Sequence, residues 1–152
     1  MKIANSIKIK VYVKEGEDEE KIKKKLLELI PFDISKEKVE LKEEAATGFN
    51  EKKIKIYRVV LEKDRHIEAF LKNLKEEMME EVQERILNQI DSRLDDDCNF
   101  FLRFSKDKWI IEKDLWLTDQ GNCFHIKINV AAFPKKKEIA AEIIRNLFKP
   151  PA

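Results

Sequence analysis

Residues 6–14 read SIKIKVYVK, and the alternation of apolar and polar side chains is unbroken. A β-strand turns successive side chains to opposite faces, so Ile7, Ile9, Val11 and Val13 point one way. Lys8, Lys10, Tyr12 and Lys14 point the other. No helix places those four apolar residues on one side. The segment therefore demands a sheet with one face in a core and one face in water, the habit of antiparallel rather than parallel sheets.

The rest of the chain supplies what such a sheet needs. GEDEE, after the strand, gives a turn, a capping residue in Asp18 and acids for a first helical turn. Ile22, Leu26, Leu29 and Ile30 then recur at helical spacing up to Pro31. Val39 and Leu41 mark a second strand, TGFN at 47–50 a hairpin turn, and Ile54 to Leu61 a third strand. Its alternation slips near Tyr57 and Arg58, which predicts a bulge. Residues 64–94 carry Ile67, Leu71, Leu74, Met78, Val82, Ile86 and Ile90 every three or four positions, the stripe of one long helix. Three aspartates cannot sit comfortably at a helix's negative end, so LDDD ends it near Leu94. Strands are expected at 99–105, across roughly 109–117 and, after a QGN turn, at 124–133. Pro134 opens a closing helix with Ile139, Ile143, Ile144 and Leu147 as its buried stripe. The predicted order is β-α-β-β-α-β-β-β-α, an α+β fold with an antiparallel or mixed sheet and helices on one face. At 152 residues and 43% apolar, with no linker or repeat, a single domain over 1–152 is expected.

Charge bounds the partners. Net charge is +1, so the chain is no global polycation, but its charges are segregated. Residues 1–14 hold four lysines and no acid; 64–94 are net acidic; 134–149 are net basic. No apolar run approaches the roughly 18–20 residues of a membrane span, and MKIANSIKIK has no signal-peptide core. A cytoplasmic location and no membrane partner are expected. Cys98 and Cys123 are the two cysteines and form no CxxC, so neither a disulfide framework nor a zinc site is indicated. The heavy use of Lys and Glu is the usage associated with thermophiles.

Signatures of catalysis are missing: there is no GxSxG, P-loop, GxGxxG or HExxH. A Cys98–His125 dyad would need an orienting group for the imidazole, and no motif supplies one. Asp95, Asp96 and Asp97 are oxygen donors suited to Mg²⁺, yet acids at a helix end also serve as a solvated stop. The expectation is a non-catalytic protein with no cofactor and no metal.

Binding signatures are stronger. Lys8, Lys10, Tyr12 and Lys14 share a face; Cys123, His125, Lys127 and Asn129 share one on the last strand; Phe101, Arg103 and Ser105 share one at 100–105. Brought together, cations and rings form a surface for unpaired RNA, with ammonium groups on phosphates and flat rings on bases. An antiparallel sheet also turns lysines outward for solubility alone. Lys135, Lys136 and Lys137, in the first turn of the last helix, oppose its dipole unless an anion is bound there. In FFLRFSKDKW (100–109), Phe100, Leu102 and Phe104 have core parity, leaving Phe101, Arg103, Lys106 and Lys108 as the part that could meet RNA.

RLDDDCNFFLRFSKDKW, followed by FHIKINVAAFPKKKEIAAEII, resembles a family of small archaeal proteins described as predicted RNA-binding proteins or exosome subunits. SIKIKVYVKEGEDEEKIKKKLLELIP and RHIEAFLKNL fit the same family in order, so the resemblance covers essentially the whole chain. It implies a fold similar to the ribosomal protein that binds 5S RNA, and a role in RNA processing or ribosome-related assembly. It also implies contacts through Arg103, Lys106, Pro134, Lys135 and Lys136. Cys98 stands where such sequences often have Gly, and the hairpin at 47–50 keeps only Gly48. The rival expectation is a protein-interaction module, docking a partner subunit or a second copy through Trp109, Trp116 or the acids Glu76, Glu77, Glu80, Glu81 and Glu84.

Overall fold

The computed structural model describes residues 2–47 and 52–150. Strand β1 (Ala4–Lys14) lies at the centre of a five-stranded sheet. Around it stand β2 (Leu41–Thr47), β3 (Lys53–Leu61), β4 (Asn99–Ser105) and β5 (Cys123–Val130), in the order β2-β3-β1-β5-β4. Every neighbouring pair is antiparallel. The alternation of β1 places Ile7, Ile9, Val11 and Val13 in the core, worth roughly 2 kcal/mol apiece in burial. Tyr57, Val59 and Leu61 join them from β3, Phe100, Leu102 and Phe104 from β4, and Phe124, Ile126 and Ile128 from β5. This inner face carries the helices.

Helix α1 (Glu19–Glu28) starts where expected: Asp18 caps it, accepting from the Lys21 amide at 3.2 Å, and Ile22 and Leu26 are buried. Charge is also satisfied on the inner face. The Lys55 ammonium lies 2.7 Å from Glu19 and 3.3 Å from Glu43, and the buried Tyr57 hydroxyl donates to Glu19. The hydrogen bonds from Lys55 and then Tyr57 hold the Glu19 carboxyl below its ordinary pKa.

Where one helix was expected over 64–94, the chain makes three: α2 (Asp64–Glu77), α3 (Glu80–Asn88) and α4 (Ile90–Arg93). Met78 and Met79 are extended between the first two. The break puts Glu80 and Glu81 at a helix N-terminus, where acids are favoured, rather than in a helix interior. The Gln83 side chain donates to the carbonyls of Lys75 and Met78, at 3.1 and 3.2 Å, satisfying the end of α2. The apolar stripe continues regardless, with Met78, Val82, Ile86 and Ile90 all buried. The stop at Leu94 occurs as read from LDDD.

Three further expectations are corrected. Residues 109–117 are not a strand: Ser105 accepts from the Lys108 amide at 3.3 Å and caps α5 (Lys106–Glu112). Only Leu117 pairs beyond it, through a single bridge to Phe104. The run WII read as extended, but a serine cap with Asp107 in the first turn favours a helix. The closing helix α6 starts at Lys137 and not at Pro134, because Lys136 is still extended. Finally, β3 has no bulge at Tyr57 or Arg58; its register with β1 is continuous from Leu61 to Ile54. The irregularity lies in β1, between Ala4 and Ser6. β2 and β3 pair antiparallel as a hairpin requires, though Gly48, Phe49 and Asn50 of the TGFN turn lie outside the described residues.

Candidate nucleic-acid interface

The face of the sheet opposite the helices collects outward side chains from all five strands. Strand registry sets them in rows. Lys42, Arg58, Lys10, His125 and Arg103 stand side by side across β2, β3, β1, β5 and β4. The next row is Val60, Lys8, Lys127 and Phe101, and the one after it is Ser6, Asn129 and Asn99. Like charges directly opposite each other repel, yet Lys8 faces Lys127 and Lys10 faces Arg58. Arg58 is compensated by Glu44 at 2.7 Å. Among the described residues, Lys8, Lys10, Arg103 and Lys127 have no ion-pair partner.

Rings lie against two of these cations. The Lys10 ammonium lies 5.3 Å from the Tyr12 ring centre, and Lys127 lies 5.9 Å from that of Phe101. Tyr12 meets His125 edge-on at 5.9 Å. Lys8, Lys10, Tyr12, Ile56, Arg58, Phe101, His125 and Lys127 enclose a hollow of about 280 Å³. Burial, followed by the charges of Lys10 and Arg103, pushes the His125 pKa down to about 4. At neutral pH the imidazole is uncharged, offering one donor and one acceptor.

A second hollow, of about 300 Å³, adjoins the first and shares Lys8 and Lys127 with it. Ser6, Asp97, Asn99, Asn129 and Lys135 complete its wall. Here the amides form a relay. Asn5 donates to Asn129 at 3.0 Å, Asn129 to Asn99 at 2.9 Å, and Asn99 to Asp95 at 3.2 Å. Asp95 also accepts from the amides of Asp97 and Asn99, so it organises the turn that leads into β4. Burial works against its ionisation, but these bonds from Asn99 and Asp97 prevail and hold its carboxyl below the ordinary range. Cys98, at φ 63°, supplies the left-handed residue of that turn, a conformation that favours glycine.

The structure thus brings together Lys8, Lys10, Tyr12, Phe101, His125 and Lys127, with Arg103 beside His125 and Lys135 at the far end. It does not bring in the others. Lys106 is 2% exposed: its ammonium donates to the Tyr12 carbonyl at 2.7 Å and lies 3.2 Å from Glu17, so it is a buried structural cation and no surface contact. Lys108 is on α5, paired with Glu112 at 3.0 Å. Lys136 and Lys137 flank the start of α6 without lining either hollow. The Cys98–His125 dyad is not formed, since five residues of strand, roughly 16 Å, separate the two levels. Among the described residues, no group of three or more His, Cys, Asp or Glu side chains is arranged to hold a metal ion. No helix among them is long and apolar enough to cross a membrane.

Trp109 also leaves the list of docking residues. It is 1% exposed, and its indole donates to the Lys25 carbonyl at 2.9 Å, fastening α5 to α1. Trp116 is half-buried beneath Arg85, whose guanidinium lies 5.0 Å from the ring. Sequence reasoning missed Arg58, because the expected bulge obscured its parity. It also missed Phe133, which is 95% exposed two residues before Lys135.

Similarity to known proteins bears on the family and the fold. A curated protein of Pyrococcus abyssi named as an RNA-binding protein is 28% identical over 143 residues, covering 94% of this chain and 92% of its own length. A crystal structure from Archaeoglobus fulgidus matches with a TM-score of 0.83 at 28% identity, covering 96% of this chain and 99% of that one. A structure from Methanothermobacter thermautotrophicus matches at 0.78, also 28% identical, covering 97% and 99%. A more distant protein of Methanococcus jannaschii, 15% identical with a TM-score of 0.55 over 97% of this chain and 95% of its own, shares the fold alone. A family model described as RNA binding matches residues 6–130, from the first outward lysines of β1 to the end of β5, and the chain belongs to that family.

Proposed function

We propose that the chain binds RNA on the open face of its sheet, without catalysis, in the cytoplasm. One observation carries the reading: Lys8, Lys10, Lys127 and Arg103 are set opposite or beside one another by strand registry, and among the described residues none of the four is in an ion pair. Such an array repels itself until an anion arrives, and its interleaved rings select an anion that carries aromatic bases. The relative named as an RNA-binding protein supports the same ligand. Lys135 continues the track past the amides, with Lys136 and Lys137 as outlying charge. The resemblance to exosome-related and 5S-RNA-binding proteins favours service in RNA processing or ribosome-related assembly.

Binding to single-stranded and structured RNAs, measured by fluorescence anisotropy across a salt series, tests the reading. For a single strand, log–log slopes of about −0.7 per neutralised phosphate are expected. The variant K8Q/K10Q/K127Q should lose about 2 from the slope while keeping the parent's circular dichroism. An unchanged slope would sink the proposed face.

A further inference from the structure

The relation between the two hollows says more than that the face is positive. Lys8 and Lys127 are register partners on adjacent strands, and they are the two residues that line both hollows. On one side of them lie Tyr12, Phe101 and His125; on the other lie Ser6, Asn99 and Asn129, with Asp97 and Lys135. Each hollow, at about 280 and 300 Å³, stands at the lower end of small-molecule sites and suits a single base rather than a helix. The dividing wall is therefore cationic, one chamber is aromatic, and the other holds two amides with one carboxylate and one further lysine.

Resting on the RNA-binding reading above, we infer that Lys8 and Lys127 clamp one phosphodiester and that the two nucleosides it joins occupy the two hollows, one stacked and one read by hydrogen bonds. The recognised unit is an unpaired dinucleotide step. A phosphate between two opposed ammonium groups relieves their repulsion and gains charge-assisted hydrogen bonds. In the aromatic chamber a base stacks against Phe101 or Tyr12, and the uncharged His125 can both donate and accept. In the amide chamber, the Asn5–Asn129–Asn99–Asp95 relay fixes the orientation of two amides. Each retains hydrogen-bonding capacity for the edge of a base, the chemistry by which Asn reads adenine. Paired bases cannot enter, because their edges are occupied and they remain stacked on their neighbours.

The test uses the full chain and short synthetic RNA. Affinities are measured for a nucleoside monophosphate, a dinucleotide, a hexanucleotide strand and the same hexanucleotide sequence within a hairpin stem. A rise of at least about tenfold from monophosphate to dinucleotide is expected, with the stem weaker than the strand. Dinucleotides with a neutral methylphosphonate linkage should bind the parent about tenfold more weakly, but bind K8Q/K127Q no more weakly than the natural dinucleotide does. Asn129→Ala should narrow the preference among bases while sparing the salt slope. Equal binding of stem and strand, or an equal methylphosphonate penalty in K8Q/K127Q, overturns the dinucleotide clamp but leaves RNA binding standing. Failure of every RNA to bind overturns both.

Discussion

Lys106 and Lys127 both belong to the β4–β5 end of the sheet, and they show two opposite uses of the same side chain. Lys106 is enclosed, and its ammonium has a carbonyl and a carboxylate as partners. Lys127 lies on the open face opposite Lys8, with the Phe101 ring 5.9 Å away and, among the described residues, no ion-pair partner. Burial of a charge is tolerated where acceptors are built in around it, and such a residue belongs to the fold. A half-exposed cation lined up with another cation adds little to the stability of the chain, here one ring contact set against a like charge. Lys106 therefore belongs to the structure and Lys127 stays open to the proposed RNA, although both were read from sequence as contacts for RNA.

The largest expected effect lies on the structural side. Lys106→Ala removes the link between α5, the end of β1 and Glu17, and should cost about 3 kcal/mol of stability in denaturant unfolding. A Lys106 variant that folds normally but loses RNA binding would break the distinction. On the open face the sign reverses. K8Q/K127Q removes a directly opposed like-charge pair and should leave stability unchanged or raise it by about 0.5 kcal/mol, although RNA binding falls.

His125 sharpens the comparison through its titration. Its pKa, lowered to about 4 by burial and then by Lys10 and Arg103, means that the folded chain binds fewer protons than the unfolded chain just below pH 6.5. Its contribution to stability is therefore complete above about 6.5 and is lost as the pH falls from there through about 4. NMR titration of the imidazole should find it neutral at pH 6. Bound RNA should raise its pKa, because phosphates offset Lys10 and Arg103; a value unmoved by RNA would place the ligand elsewhere. The smallest effect belongs to Lys108→Ala, which removes one exposed i,i+4 pair with Glu112. It should leave stability almost unchanged and the salt slope of RNA binding intact.

Much of the molecule was legible before its structure. The period of two in β1 fixed which residues enter the core and which remain outside, because a strand allows no other assignment. Asp18 announced a helix start and LDDD a helix stop, since both act on backbone groups within a few residues. The break between α2 and α3 was also written locally, in glutamates flanking MetMet, but a continuous apolar stripe hid it. α5 was misread because WII has strand composition, while its cap at Ser105 lies four residues earlier.

Parity could identify Lys8, Lys10, Tyr12, His125, Lys127, Phe101 and Arg103 as outward, each on its own strand, because the direction of a side chain is a local property. Which strands adjoin is not local. The order β2-β3-β1-β5-β4 sets Lys8 against Lys127 although they are far apart in the chain, and this alone makes two hollows with a cationic wall. The same long-range packing took Lys106 and Trp109 out of reach, by closing α5 onto α1 and the end of β1. Sequence by itself determined the faces of the strands; only the tertiary structure decided which cations meet and which are consumed, because charge compensation depends on neighbours in space.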